Sequence, residues 1–192
     1  MRVVIAELHD LFQQFGQQHY GEKCTQLEHA IASAEHAIFL KLKEPLVIAA
    51  FVHDIGHLLA DRDNLPGMTD VGHPHHSKIA ANWLKKNAFP DSVIQPIRYH
   101  VCAKRYLQSQ LGTHQQLLSA ASLTTLAQQG GVMKAKEADD FELNLSFDDA
   151  LALRACDDMG KPNHCINIDL TYWLDRVEKF YLSVRKSPNI FL

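Results

Sequence analysis

The stretch PLVIAAFVHDIGHLLA, residues 45–60, decides the reading of the fold. Pro45 stands where proline is tolerated, at a helix start, and the residues after it are almost wholly apolar, so one helix central to the protein is expected. His53, Asp54 and His57 interrupt that surface, and no Lys or Arg occurs between Glu44 and Asp61. A buried ionised carboxylate requires a salt bridge, a proton or a metal ion. Metal is the expectation here. On a helix His53 and His57, four apart, share a face, and Asp54 beside them has its carboxylate available to a second ion.

Working outward, Val4, Ile5, Leu8, Leu11, Phe12 and Phe15 recur at helical spacing, as do Leu27, Ile31, Ala34 and Ile38 after a break at residues 16–21. Residues 61–74 turn to Asp, Asn, Pro and Gly and read as a loop. Helices are then expected over HSKIAANWLKKNA (76–88), SVIQPIRYHVCAKRYL (92–107) and HQQLLSAASLTTLAQQ (114–129), near Ala135 to Glu142, from Phe147 to about Met159, and over IDLTYWLDRVEKFYLSV (168–184). No alternating strand pattern occurs. The expected fold is all-α, a single helical-bundle domain over residues 1–192, with a metal-binding core at about 20–161 and a C-terminal helix at about 166–185.

The chain has 192 residues, 46% hydrophobic and 21% charged, with a formal charge of −3. That length supports one sizeable core. Its basic residues are scattered except for Lys85-Lys86 and Lys104-Arg105, which argues against nucleic acid and an acidic membrane surface and for a small molecule or a protein as partner. Cys24, Cys102, Cys156 and Cys165 form no C-x-x-C pair and read as reduced thiols. With no signal-peptide pattern and no membrane-length apolar run, a cytoplasmic protein is expected.

Histidine is the anomaly: there are 12, against 5 Tyr and 2 Trp. His29 on the helix before the central one, His76 at the start of the helix after it and His100 on the next supply imidazoles from separate elements, as a site in a bundle core requires. Imidazole suits iron, zinc or manganese, and a bridging carboxylate suits two ions, so a dinuclear centre is expected. Asp157, in RACDDMGK, is available to complete one shell. His36 reads as structural, and His9, His114 and His164 as surface residues.

The residues Glu28-His29, His53-Asp54, a later His and a distant Asp resemble the HD-domain superfamily. GEKCTQLEHA, AAFVHDIGHLL, HHSKIAANWL, IRYHVCAKRYL, SLTTLAQQGG and RACDDMGK together resemble its PhnZ-like branch of phosphonate-cleaving oxygenases, relatives of myo-inositol oxygenase, from about Tyr20 to Lys161. The resemblance implies an all-α HD domain in which His29, His53, Asp54 and Asp157 hold one iron while Asp54, His76 and His100 hold the other, Asp54 bridging a mixed-valent Fe(II)/Fe(III) pair. It further implies that His57, Lys104 and Ser122 contact the phosphonate and that Glu22 faces the substrate's amino end. The implied substrates are dioxygen and a small 1-hydroxyphosphonate such as 2-amino-1-hydroxyethylphosphonate, cleaved with release of phosphate.

Four alternatives stand at this level. The family's loop tyrosine stands three residues before the glutamate, whereas here Tyr20 is two before Glu22 and His19 takes that position. His75 is the alternative to His76, and Asp158 to Asp157. The superfamily's commoner activity, hydrolysis of a phosphate ester or nucleotide with other divalent metals, uses the same ligands and is the competing expectation. A catalytically silent regulatory module fits a complete ligand set poorly.

Overall fold

The computed structural model describes residues 3–110, 118–164 and 166–186. Among them the regular elements are ten α-helices, and the only ladder contact is an isolated bridge between Thr69 and Gly72. The fold is all-α. No helix among the described residues is long and apolar enough to cross a membrane.

Helix α1 (Val3–Phe15) buries Val4, Ile5, Leu8, Leu11 and Phe12 on one stripe. Helix α2 (Gln26–Phe39) begins at a capping box: Thr25 Oγ1 accepts from the Glu28 N–H at 3.2 Å, and the Thr25 N–H donates to Glu28 Oε2 at 2.8 Å. Two orphan N–H groups are thereby satisfied, and the helix start is fixed one turn before His29.

The central segment departs from the expected single helix. It forms α3 (Glu44–Val52) and α4 (Ile55–Arg62), broken at His53 and Asp54. The break has a local cause: His53 Nδ1 bonds the Ala50 carbonyl at 2.9 Å, the group that a continuous helix would offer to the Asp54 N–H. Asp54 takes φ −99 and ψ 5, and the His57 N–H returns to its carbonyl at 3.0 Å. The interruption sits at the two residues on which the chemistry turns.

The remaining helices are α5 (His76–Lys86), α6 (Asp91–Gln110), α7 (Ala120–Gln128), α8 (Ala135–Glu142), α9 (Phe147–Met159) and α10 (Leu170–Lys186). Residues 111–117, where the start of the expected 114–129 helix falls, lie outside the described residues, as do His114 and Cys165; α7 itself starts only at Ala120. Helix α3 packs on α2, α6, α9 and α10, and the Phe51 and Trp173 rings stack at 5.3 Å between α3 and α10. One apolar cluster extends from Val4 and Ile5 on α1 through Ile48, Phe51 and Leu84 to Val177 and Tyr181 on α10. Cys24, Cys102 and Cys156 are free thiols.

Candidate metal centre

Four buried imidazoles converge in two pairs. His29 Nε2 and His53 Nε2 are 3.2 Å apart, and His76 Nε2 and His100 Nε2 are 3.0 Å apart. Each ring is oriented through its other nitrogen by a backbone carbonyl: His29 Nδ1 by Gly160 at 2.7 Å, His53 by Ala50 at 2.9 Å, His76 by His73 at 3.0 Å and His100 by Ile97 at 2.7 Å. Three of the four carbonyls belong to the residue three positions back. With Nδ1–H committed to a carbonyl, each neutral ring presents a lone pair at Nε2. Two lone pairs facing each other repel, so neither pair is a hydrogen bond between neutral rings. Two imidazole nitrogens ~2.1 Å from one ion and at right angles to each other stand ~3 Å apart, which matches both pairs.

Asp54 lies between them with one oxygen toward each. Its Oδ2 is 3.5 Å from His29 Nε2 and 3.4 Å from His53 Nε2; its Oδ1 is 3.3 Å from His76 Nε2 and 3.7 Å from His100 Nε2. Oδ1 is buried and accepts no hydrogen bond. An orphaned buried carboxylate oxygen costs a desolvation penalty that a cation removes. Asp157 completes the first group, with Oδ1 3.4 Å from His29 Nε2. The donor set of imidazoles and carboxylates therefore fits metal binding.

Electrostatics favour cations here. Burial alone would lower the His29 pKa, yet hydrogen bonds and charge from Asp157 and Asp54 push it up to about 10, so this corner favours a cation at Nε2, and a metal ion takes the lone pair there by displacing a proton. Burial would raise Asp54, but His53 and His76 hold it well below the usual carboxylate range. His100 is pushed down to about 3 by burial, then by His76 and His53, which keeps its lone pair free.

His76 is buried against His100 whereas His75 is exposed, so of the two the structure brings His76 to the cluster. Asp157 is buried beside His29, while Asp158 turns to Arg154. His19 is exposed; Tyr20 lines the cleft, its ring centroid 5.2 Å from that of His57 and its hydroxyl donating to Asp61 Oδ2 at 3.1 Å. His57 lies close enough to Asp54 and His76 to be taken for a ligand. Its Nδ1, however, accepts the His73 N–H at 2.8 Å, so Nε2 carries the proton and is a donor. His36 packs against Phe39, and His9 and His164 bond their own neighbours, away from the centre.

A cleft of about 480 Å³, mouth included, opens over the centre. Lys104 is 4% exposed, its Nζ donating to Thr125 Oγ1 at 3.0 Å, and burial followed by the nearby Arg154 charge pushes its pKa down to about 7. Ser122 lies on the same wall. Two cations there were not singled out from sequence. Lys161 Nζ donates to Glu22 Oε1 and Ser122 Oγ, each at 2.7 Å, and Arg154 is buried beside Asp157. Lys161 stands four residues after Asp157 but beyond the end of α9, so helical spacing gives no signal for it; Arg154, three residues before Asp157 on α9, was findable. Glu22, expected at a substrate's amino end, is paired internally with Lys161 and Ser119.

An HD-domain model matches residues 26–142, a stretch that holds His29, His53, Asp54, His76 and His100 and ends before Asp157. The chain is 37% identical over 153 residues to an uncharacterized protein of Acanthamoeba polyphaga mimivirus, covering 79% of this chain and 70% of that one. It is 34% identical over 152 residues to the 1-hydroxy-2-(trimethylamino)ethylphosphonate dioxygenase (glycine-betaine-forming) of Leisingera caerulea, covering 79% and 76% respectively. It is 36% identical over 157 residues to the hydroxymethylphosphonate dioxygenase of Gimesia maris, covering 82% and 78%. The chain belongs to the HD-domain family, in its PhnZ-like branch.

Proposed function

We propose that the protein is a diiron oxygenase that cleaves the carbon–phosphorus bond of a small 1-hydroxyphosphonate with dioxygen, releasing phosphate. The observation that carries this reading is Asp54, whose two oxygens face two separate imidazole pairs at the floor of a cleft walled by Lys104, Lys161 and Arg154. His29, His53, Asp54 and Asp157 hold one iron; Asp54, His76 and His100 hold the other. The names of the two phosphonate dioxygenases support the same substrate class.

Bound there, a mixed-valent iron pair supplies dioxygen activation and removal of hydrogen from C1. The chain supplies the rest. Lys104 Nζ and Lys161 Nζ meet phosphonate oxygens with charge-assisted hydrogen bonds, and Ser122 Oγ adds a neutral one. His57 directs an Nε2–H donor into the cleft, held in that tautomer by the His73 N–H. Tyr20 covers His57 and limits access of water.

The test is oxygen uptake and phosphate release by anaerobically purified, iron-loaded protein offered hydroxymethylphosphonate and 2-amino-1-hydroxyethylphosphonate. Oxygen consumption tied to phosphate release is expected from at least one of them. Release of phosphate from esters without oxygen consumption, supported by a redox-inert metal, would replace the oxygenase with a hydrolase.

A further inference from the structure

The two carboxylates at the end of α9 divide one guanidinium between them. Arg154 is 3% exposed, and its Nη1 donates to Asp157 Oδ2 at 2.7 Å. Its Nε donates to Asp158 Oδ2 at 3.0 Å, and Nη2 donates to Asp158 Oδ1. The side edge of the guanidinium is thus filled by Asp158 in a two-point contact, which fixes its orientation so that Asp157 is met by Nη1 alone. Asp157 consequently spends Oδ2 on Arg154 and keeps Oδ1 toward His29 Nε2.

We propose that Asp158 is a positioning residue for the metal held by His29 and His53, acting through Arg154. Guanidinium and carboxylate prefer a two-point pairing. Without Asp158 nothing holds the guanidinium in that orientation, and it is free to turn and take both oxygens of Asp157, which removes Oδ1 from the ion. The loss of the Asp158 charge also leaves the buried Arg154 with one fewer counter-charge, a partly buried one, beside two cations, which disfavours metal binding. Asp158 turns both oxygens to Arg154, and it is Asp157 and Asp54 whose oxygens approach the imidazole nitrogens. The inference rests on the proposed assignment of Asp157 to the His29 and His53 ion.

The test is anaerobic titration of the full chain with Mn(II), free ion being followed by EPR. Asp158→Asn is expected to weaken the His29 and His53 class of site at least tenfold and leave the His76 and His100 class within twofold. Adding Asp158→Asn to Arg154→Met is expected to change neither class by more than threefold. That comparison stands even if the single Asp158→Asn variant fails to fold, since the double variant removes the buried charge together with its partner. Unchanged affinity in Asp158→Asn, an equal loss at both classes, or a tenfold loss in the Arg154→Met background would overturn the proposal. Wild-type protein that binds no Mn(II) would overturn the metal assignment itself, a result distinct from any of these.

Discussion

Lys104 carries an ammonium into a site where burial works against it. Its pKa of about 7 means that the charge is present below that pH and lost as pH rises through it, so its contribution to anion affinity declines in the same direction. Metal ions bound on the floor of the cleft would push the pKa further down. Lys104→Met is expected to weaken binding of inorganic phosphate about tenfold or more at pH 6, the effect of losing one charged hydrogen bond of about 1.5–3 kcal/mol. The difference between wild type and variant should narrow above pH 8, as calorimetric titration at several pH values would show. A difference that is constant with pH would remove Lys104 from the anion site. At this scale the six candidate ligands were legible because six His and Asp residues were gathered by helical spacing and by resemblance. The Tyr20 position was not, since a loop register one residue out of step is decided by backbone geometry: Tyr20 and Gly21 adopt φ of 41 and 79, which turns the ring inward and leaves His19 outside.

Elements position these residues through their ends more than through their middles. His76 opens α5, His53 and Asp54 break α3 from α4, and Gly160 ends α9 with its carbonyl on His29. Helical periodicity finds the faces of helices but not such ends, which explains why residues 45–60 read as one helix. The loop before α5 is equally particular. Gly72 has φ +87, and a Cβ there would lie 2.3 Å from His57 Nδ1. Gly72→Ala is therefore expected to cost at least about 1–2 kcal/mol from the left-handed backbone alone and to move His57 off the His73 N–H. Chemical denaturation and steady-state rates would register both effects, and wild-type values for both would contradict this role. Thr25→Ala, which removes half of the capping box at the start of α2, is expected to cost about 1 kcal/mol and shift Tm by about 2–4 °C. An unchanged Tm would mean that packing of α2 fixes the helix start unaided.

At the scale of the whole molecule, helices α2, α5, α6 and α9 and the break between α3 and α4 each bring one or more polar groups to a shared floor, and the apolar cluster packed around α3 holds them at that separation. Class and core were legible from periodicity, because apolar burial is written into spacing. The arrangement of helices around the cleft was not, because the contacts that set it, such as Lys161 with Glu22 across 139 positions, leave no trace in local pattern. Metal should consequently be part of stability. Ion at 100 times its Kd contributes about 2.7 kcal/mol, so a chelator is expected to lower Tm by about 5–10 °C. Equal melting with and without chelator would mean that the centre is held by the protein alone.

The bridging position of Asp54 is the claim on which the rest depends, and anaerobic iron analysis of wild type beside Asp54→Ala tests it most directly. Two irons per chain in the wild type and neither retained at full occupancy in the variant is the predicted result. A variant that keeps both irons would contradict the bridge and with it the proposed dinuclear centre.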